Sequence, residues 1–190
     1  MIDRYKAIEK ILEQVGIDDL VLSTTGMISR EVFITDDQPR NFYMIGSMGL
    51  LSSFGLGLTI FKPKRRIFVL EGDGSALMSL GTLPLIATQN PVNLVHIVLD
   101  NEAYESTGGQ PSISSQVDLA AVAKSSGYPN VARIEDIEEL EGALENCTPG
   151  SGPYLLLVKS GIAAVVDIPR VSHSPTGIRD RFKSAVQGLS

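Results

Sequence analysis

Thiols are nearly absent from this sequence: Cys147 is the one cysteine in 190 residues. A lone cysteine makes no internal disulfide, and there is no second thiol to open a zinc or iron–sulfur ligand set. That usage fits a reducing, cytoplasmic setting. Cys147, at a predicted helix end before Thr148-Pro149-Gly150, reads as an inert thiol. Positive charge is also sparse. Only Lys62-Pro63-Lys64-Arg65-Arg66 forms a basic cluster, and it reads as a solvated loop between two apolar segments. With a net charge of −6 and a pI of about 4.9, the chain lacks the footprint of a nucleic-acid binder. The opening residues Met1 to Lys6 are polar and lack the apolar core of a signal peptide. The longest apolar stretch, Met44 to Phe61, is broken by glycines and serines; it is expected to be a buried helix, not a membrane span. Nucleotide fingerprints are missing too. Gly46, Gly49, Gly55 and Gly57 do not have G-x-G-x-x-G spacing, and no G-x-x-x-x-G-K-[ST] occurs.

What is present is the composition of an ordinary globular domain, 43% hydrophobic and 20% charged, long enough to bury a sizeable core. Tyr5, Ile8, Ile11, Leu12 and Val15 have helical spacing. Leu20 to Leu22, Ile67 to Leu70, Asn93 to Leu99, Val131 to Ile134 and Tyr154 to Val158 read as strands. Helices are expected from about Ala76, over 117–125 and 136–146, and at the C-terminus over 176–187. The alternation predicts an α/β fold: a doubly wound, mostly parallel sheet with helices on both faces. The whole chain, 1–190, reads as a single domain, with 160–190 a C-terminal arm and helix; the irregular stretch Ser160 to Pro175 is the arm or linker.

In such sheets ligands sit beyond the C-terminal strand ends. Three polar or glycine-rich loops follow apolar strands here, at Ser23 to Gly26, Glu71 to Ser75 and Asp100 to Ser112. They should open on one edge. Asp73 lies between Gly72 and Gly74, which lets the backbone turn sharply and an anion approach. Ser75 is expected to begin a helix whose amides favour that anion. A carboxylate beside an anion calls for a hard cation between them. Magnesium takes oxygen ligands, and Asn101 and the Ala103 carbonyl can supply two more. Asn101 follows Asp73 by 28 positions, room for one helix and one strand.

These segments carry a resemblance. Gly72-Asp73-Gly74, one helix-strand unit and then Asn101 resemble the diphosphate-binding motif of thiamine diphosphate enzymes. Ser23-Thr24-Thr25-Gly26-Met27-Ile28-Ser29-Arg30-Glu31, Gly46-Ser47-Met48-Gly49 and Asn101 through Ser112 extend it to the phosphonopyruvate and sulfopyruvate decarboxylases, over roughly 20–185. One position departs from the usual Asn-Asn pair: Asp100 stands first, although these decarboxylases also carry Asp-Asn. The resemblance implies thiamine diphosphate and Mg2+ as cofactors, with Asp73, Asn101 and the Ala103 carbonyl as metal ligands. It gives Thr24, Thr25, Gly74 and Ser75 to the diphosphate. The Gly46 carbonyl would accept from the pyrimidine 4′-amino group, and Met48 would wedge between the two rings. Gly26, Ser47, Gly72, Tyr104, Ser106 and Thr107 complete the expected cofactor contacts.

The glutamate that activates the pyrimidine belongs, in this family, to a separate pyrimidine domain, for which 190 residues leave no room. The implied protein is a β-type subunit needing an α-type partner, which decarboxylates a 2-oxo acid, sulfopyruvate in the first place. The alternatives are a phosphonopyruvate decarboxylase subunit and a non-catalytic subunit that merely holds cofactor. A ferredoxin oxidoreductase β subunit is disfavoured by the cysteine count. Coenzyme M synthesis and sulfonate breakdown stay open as pathways. Arg30, or the Ser106-Thr107 loop, is expected to hold the anionic tail of the substrate or to close the site. Taken singly, Asp73 could be a plain turn, Met48 plain core, and Thr24 and Thr25 helix caps. His96 reads as a satisfied core residue and His173 as a surface residue of the arm; Tyr104 is divided evenly between the cofactor loop and the core.

Overall fold

A computed structural model describes residues 1–161 and 167–188. Six strands form one parallel sheet: β1 (Leu20–Ser23), β2 (Asn41–Tyr43), β3 (Ile67–Gly72), β4 (Leu94–Asp100), β7 (Asn130–Ile134) and β8 (Tyr154–Lys159), in the order β2-β1-β3-β4-β8-β7. A small antiparallel ribbon of β5 (Ala103–Tyr104) and β6 (Gln110–Pro111) stands apart at the end of β4. The central strands are apolar at nearly every position because both faces are covered. Period-two alternation sends Phe68 and Leu70 to one face and Ile67 and Val69 to the other.

On the first face lie α1 (Arg4–Glu13), α2 (Met27–Thr35) and α7 (Ile137–Glu145), with Ile8, Val32 and Leu140 fully buried. On the second lie α3 (Leu51–Phe61), α5 (Thr82–Gln89) and α6 (Leu119–Ser126), with Leu51, Ile86 and Ala123 fully buried. Asp3, Asp118, Asp136 and Ser174 cap their helices with side-chain oxygens. The C-terminal helix α8 (Pro175–Gln187) closes the β2 edge, where Phe182 meets Phe42 and Phe54.

The chain leaves β1 outward to β2, then returns past β1 to β3 and continues the other way to β4. The crevice at the C-terminal ends of β1 and β3 is thus the switch point where such sheets bind ligands. At the N-terminus, Ile2 donates to the Lys159 carbonyl (2.9 Å) and accepts from Gly161 (2.9 Å), and this pairing carries α1 to the same edge.

Four sequence expectations change. The apolar stretch from Met44 is not one buried helix: α3 begins at Leu51, and Ile45, Leu50, Ile60 and Phe61 are exposed. Its Gly55 does permit close approach, since a Cβ there would lie 2.4 Å from Val69 Cγ2, whereas Gly57 faces open space. The helix after β3, α4 (Asp73–Met78), starts at Asp73 rather than Ser75, and two helices, α4 and α5, separate Asp73 from β4. The basic cluster is not simply solvated. Arg65 donates to the Ala185 carbonyl, and Arg66 pairs with Asp19 and lies over the Phe68 ring. In the expected arm, residues 162–166 lie outside the described ones; Ile168 is buried and Val171 packs on the core.

Candidate cofactor site

The three loops meet at the switch point. One cavity is lined by Thr24 and Thr25 after β1, Met48, Gly72 to Ser75 after β3, and Asn101, Ala103, Tyr104, Ser106 and Thr107 after β4. Three expected residues fall outside it. Gly26 faces a neighbouring cavity, and Gly46 and Ser47 line an adjoining apolar groove.

Local geometry explains how each side chain arrives. Met48 sits between Ser47 (φ 56°) and Gly49 (φ 90°), two left-handed residues that turn the chain sharply inward. The Gly49 amide donates to Ser75 Oγ (3.2 Å), which pins that turn to α4. Ser75 Oγ also receives Thr24 Oγ1 (3.4 Å) and donates to Glu71 Oε2 (2.7 Å), so its hydroxyl is engaged below the cavity. What Ser75 still offers is its main-chain amide, whereas the Gly74 amide bonds the Asp73 carboxylate; the N-cap, Gly72, has no side chain to cap the first turn of α4. Gly74 must stay small, because a Cβ would meet the Tyr104 ring at 2.4 Å and the Met48 methyl at 3.1 Å. Tyr104 therefore packs on the cofactor loop rather than in the core. Thr24 and Thr25 are not helix caps, since the N-cap of α2 is Gly26 and no side chain makes a cap bond there.

Asp73 is almost fully buried at 2% exposure. Its Oδ2 accepts from the Ser112 and Ser114 hydroxyls. Ser114 has one proton for two carboxylates, and its shorter contact is to Asp100 Oδ1 (2.7 Å). Burial raises the Asp73 pKa above the ordinary carboxylate value and the Asp100 charge adds to it, against the opposing hydrogen bonds of Ser112 and Ser114. Among the described residues no basic side chain pairs with Asp73. Asp100 is neutralised differently. Lys159, its register partner on β8, contacts Asp100 Oδ2 at 2.7 Å and Glu102 Oε1 at 2.6 Å. Burial works to lower the Lys159 pKa, but the bonds to Asp100 and Glu102 outweigh it and raise it.

Asn101 Nδ2 donates to Glu105 (3.1 Å), and its Oδ1 accepts the Ala103 amide (3.1 Å). Glu105 in turn meets Arg4, which also forms a two-pronged pair with the fully buried Glu31 (2.8 and 2.7 Å). In the ribbon, the Glu102 carbonyl takes the Ser112 amide (2.9 Å) and the Tyr104 carbonyl takes that of Gly109 (3.0 Å). The Ala103 carbonyl between them points the other way, and Pro111 opposite has no N–H to give it. Asp73, Asn101 and this carbonyl are a hard-oxygen donor set, and the surrounding carboxylates outnumber Arg4 and Lys159. The residues present fit a hard divalent cation bridging to an anionic ligand. Among the described residues no group of three His, Cys, Asp or Glu side chains is arranged for a metal, so other ligands must come from amide, carbonyl or phosphate oxygens.

His96 is a satisfied core residue: its Nε2 meets Glu71 (2.6 Å) and its Nδ1 meets Tyr128 (3.3 Å). His173 is half-buried rather than free at the surface, paired with Asp37 (2.8 Å) and stacked on Tyr43. Cys147 is buried, and burial pushes its thiol pKa up to about 12, which suits an inert group. Sequence reasoning placed Glu31 and Glu71 in the right segments without a role and missed Arg4, Ser114 and Lys159. Arg4 is 101 positions from Glu105, and no local pattern signals such a pair.

The comparisons follow this geometry. Residues 24–158 match the family model for the thiamine pyrophosphate enzyme C-terminal TPP binding domain. The phosphonopyruvate decarboxylase of Streptomyces viridochromogenes is 40% identical over 185 residues, covering 96% of this chain and 46% of the relative. The sulfopyruvate decarboxylase subunit beta of Methanothermobacter thermautotrophicus is 43% identical over 192 residues, covering 100% of this chain and 98% of the relative. The chain thus spans less than half of the former and nearly all of the latter. In fold it is similar to the benzoylformate decarboxylase of Polynucleobacter necessarius, with a TM-score of 0.69 at 19% identity over 83% of this chain and 33% of that one. With the family match running over residues 24–158, from the loop after β1 into β8, this chain belongs to the thiamine pyrophosphate enzymes, as their C-terminal TPP-binding domain.

Proposed function

We propose that this chain is the β-type subunit of a thiamine diphosphate- and Mg2+-dependent decarboxylase of 2-oxo acids with an anionic tail, sulfopyruvate first. The observation that carries the reading is 43% identity to a sulfopyruvate decarboxylase beta subunit over 98% of that relative, on a chain with the hard-oxygen set of Asp73, Asn101 and Ala103. Asp73, Asn101 and the Ala103 carbonyl hold Mg2+. Thr24, Thr25, Gly74 and the Ser75 amide take the diphosphate, with Gly72, Tyr104, Ser106 and Thr107 enclosing it. With the cofactor bound, the Gly46 carbonyl would accept from the pyrimidine amino group and Met48 would support the rings from below, with Ser47 and Gly26 shaping the surrounding turns. When bound, the cofactor's thiazolium supplies the electron sink for carbon–carbon cleavage. This chain's share is orientation and electrostatics. In net terms, sulfopyruvate and one proton give sulfoacetaldehyde and CO2.

Two features favour a partner subunit. Each glutamate at or beneath the cavity already has a partner: Glu31 and Glu105 share Arg4, Glu71 holds His96 and Ser75, and Glu102 holds Lys159. A carboxylate for the pyrimidine ring is expected from another polypeptide, an α-type subunit. Beside the cavity, Ile45, Leu50 and Met78 stand exposed around the Met48 turn, an apolar rim suited to a partner surface. The test mixes this chain with its α-type partner, thiamine diphosphate and Mg2+, and follows CO2 release from sulfopyruvate, phosphonopyruvate and pyruvate. Release from sulfopyruvate in the mixture, and not from either chain alone, is expected. Faster turnover of phosphonopyruvate would overturn the substrate assignment. No release from any 2-oxo acid, with cofactor bound, would overturn the enzyme reading.

A further inference from the structure

A second cavity, about 430 Å3, adjoins the cofactor cavity and shares Thr25 and Ser106 with it. Its volume is that of a small-molecule site. Its charged lining residues are Arg30 on α2 and Arg170 in the C-terminal arm, with no carboxylate among them. In a chain of net charge −6 this is a local inversion of sign. The cofactor cavity, by contrast, mixes Arg4 with Asp73 and Glu105.

Neither guanidinium is consumed by an acid. Among the described residues, Arg30 donates to the Ile168 carbonyl at 3.4 Å, and Arg170 makes no side-chain hydrogen bond or ion pair. The arm is nevertheless held in place on both sides of Arg170: Ile168 is buried and Val171 packs against the core. A fixed backbone with a free cationic head is the arrangement of a recruited binding residue rather than a fraying terminus. The hydroxyls of Thr25 and Ser106, likewise without side-chain partners among the described residues, add two neutral donors where the cavities join. Arginine forks and hydroxyl donors suit a tetrahedral oxyanion.

We propose that Arg170 and Arg30 form the subsite for the anionic tail, sulfonate or phosphonate, of the 2-oxo acid, with Thr25 and Ser106 where this cavity opens into the cofactor cavity. This rests on the decarboxylase reading above and adds Arg170 and a defined cavity to it. The structure thereby gives the C-terminal arm a task in substrate selection, at a distance in sequence from every cofactor motif.

The test uses the assembled complex with thiamine diphosphate and Mg2+. Arg170→Met, Arg170→Lys and Arg30→Met are compared with the unaltered protein on sulfopyruvate and on pyruvate, which lacks the charged tail. Binding of sulfoacetate, an unreactive anion of the same tail chemistry, is measured by calorimetry. Arg170→Met is expected to raise KM for sulfopyruvate at least 10-fold, with kcat and the pyruvate kinetics within about 2-fold, and to weaken sulfoacetate equally; Arg170→Lys should recover part of the loss. An unchanged KM and unchanged sulfoacetate affinity in both arginine-to-methionine variants would overturn the subsite. So would a parallel loss with pyruvate, which would mark a merely structural role. If the unaltered complex turns over no 2-oxo acid at all, the decarboxylase reading fails instead, a result separable from these.

Discussion

Asp19 and Asp73 are two nearly buried aspartates at opposite ends of neighbouring strands, and the chain treats them in opposite ways. Asp19, before β1, is 7% exposed; it meets the Arg66 guanidinium through both oxygens and accepts the Gly16 amide at 2.7 Å. Arg66 is completed by the Cys147 and Gln14 carbonyls. Asp73, after β3, is 2% exposed, yet its side-chain donors among the described residues are two serine hydroxyls, one of them shared with a second carboxylate. The N-terminal edge of the sheet closes its charges internally and contributes stability. Among the described residues, the C-terminal edge leaves the Asp73 carboxylate without a cationic partner, which costs stability.

Exchanging the two aspartates in turn tests this contrast most strongly. Asp73→Ala should reduce Mg2+–thiamine diphosphate affinity by about 100-fold or more by calorimetric titration, while leaving the cofactor-free melting temperature unchanged or higher. Asp19→Ala should do the reverse: cofactor affinity unchanged, and about 3 kcal/mol of stability lost because Arg66 is left unpaired. Calorimetry of both variants without cofactor gives the stability half, and a drop in Asp73→Ala matching that of Asp19→Ala would break the contrast.

The Lys159–Asp100 pair sharpens it, because here the site edge does balance a charge. Lys159→Met should weaken cofactor binding about 10-fold, by leaving Asp100 beside Asp73 without its cation. Adding Asp100→Asn to Lys159→Met should restore most of that loss, a coupling of the kind seen between contacting charges. Failure of the second change to rescue the first would mean Lys159 acts by packing alone.

A smaller effect is expected at Gly74. Gly74→Ala should cost about 1–3 kcal/mol through the clash with Tyr104, read by chemical denaturation, whereas Gly57→Ala, facing open space, should be neutral or stabilising.

Asp37 lies between the extremes, half-buried and held by His173, Arg181 and Tyr43. Burial works to raise its pKa, but these hydrogen bonds prevail and lower it. A carboxylate with a depressed native pKa contributes stability that is present above its ordinary value near 4 and disappears as pH falls through the lowered one. Asp37→Asn should therefore cost about 1 kcal/mol at neutral pH and little in strong acid. Melting temperatures of the two proteins across pH 2–7 should converge at the acid end.

The long elements were legible because they repeat one periodicity: the continuous apolar runs of β3, β4 and β8, and the helical spacing of α1, α6 and α7. The short edge strand β2 escaped because three residues carry no pattern, and α2 because its polar face and glycine start hide it. The split between α4 and α5 escaped for a similar reason: Gly81 and Pro84 interrupt a stretch that is otherwise helix-like. Cavity-lining residues that fall in contiguous motifs, such as Gly72 to Ser75 and Ala103 to Thr107, were visible. Arg4, Ser114 and Lys159 were not, since each reaches the site through packing.

By itself the sequence determined the fold class, the loops that face the ligand edge and the resemblance to thiamine diphosphate decarboxylases, because these depend on local pattern and on short contiguous motifs. The tertiary structure alone decided which carboxylates are paired and which stand uncompensated. Strand register sets Lys159 beside Asp100, the pairing of Ile2 with Lys159 and Gly161 brings Arg4 to Glu105, and among the described residues no cationic side chain is brought to Asp73. Charge compensation in a folded chain depends on distances between residues far apart in sequence, and those distances exist only once the sheet has formed.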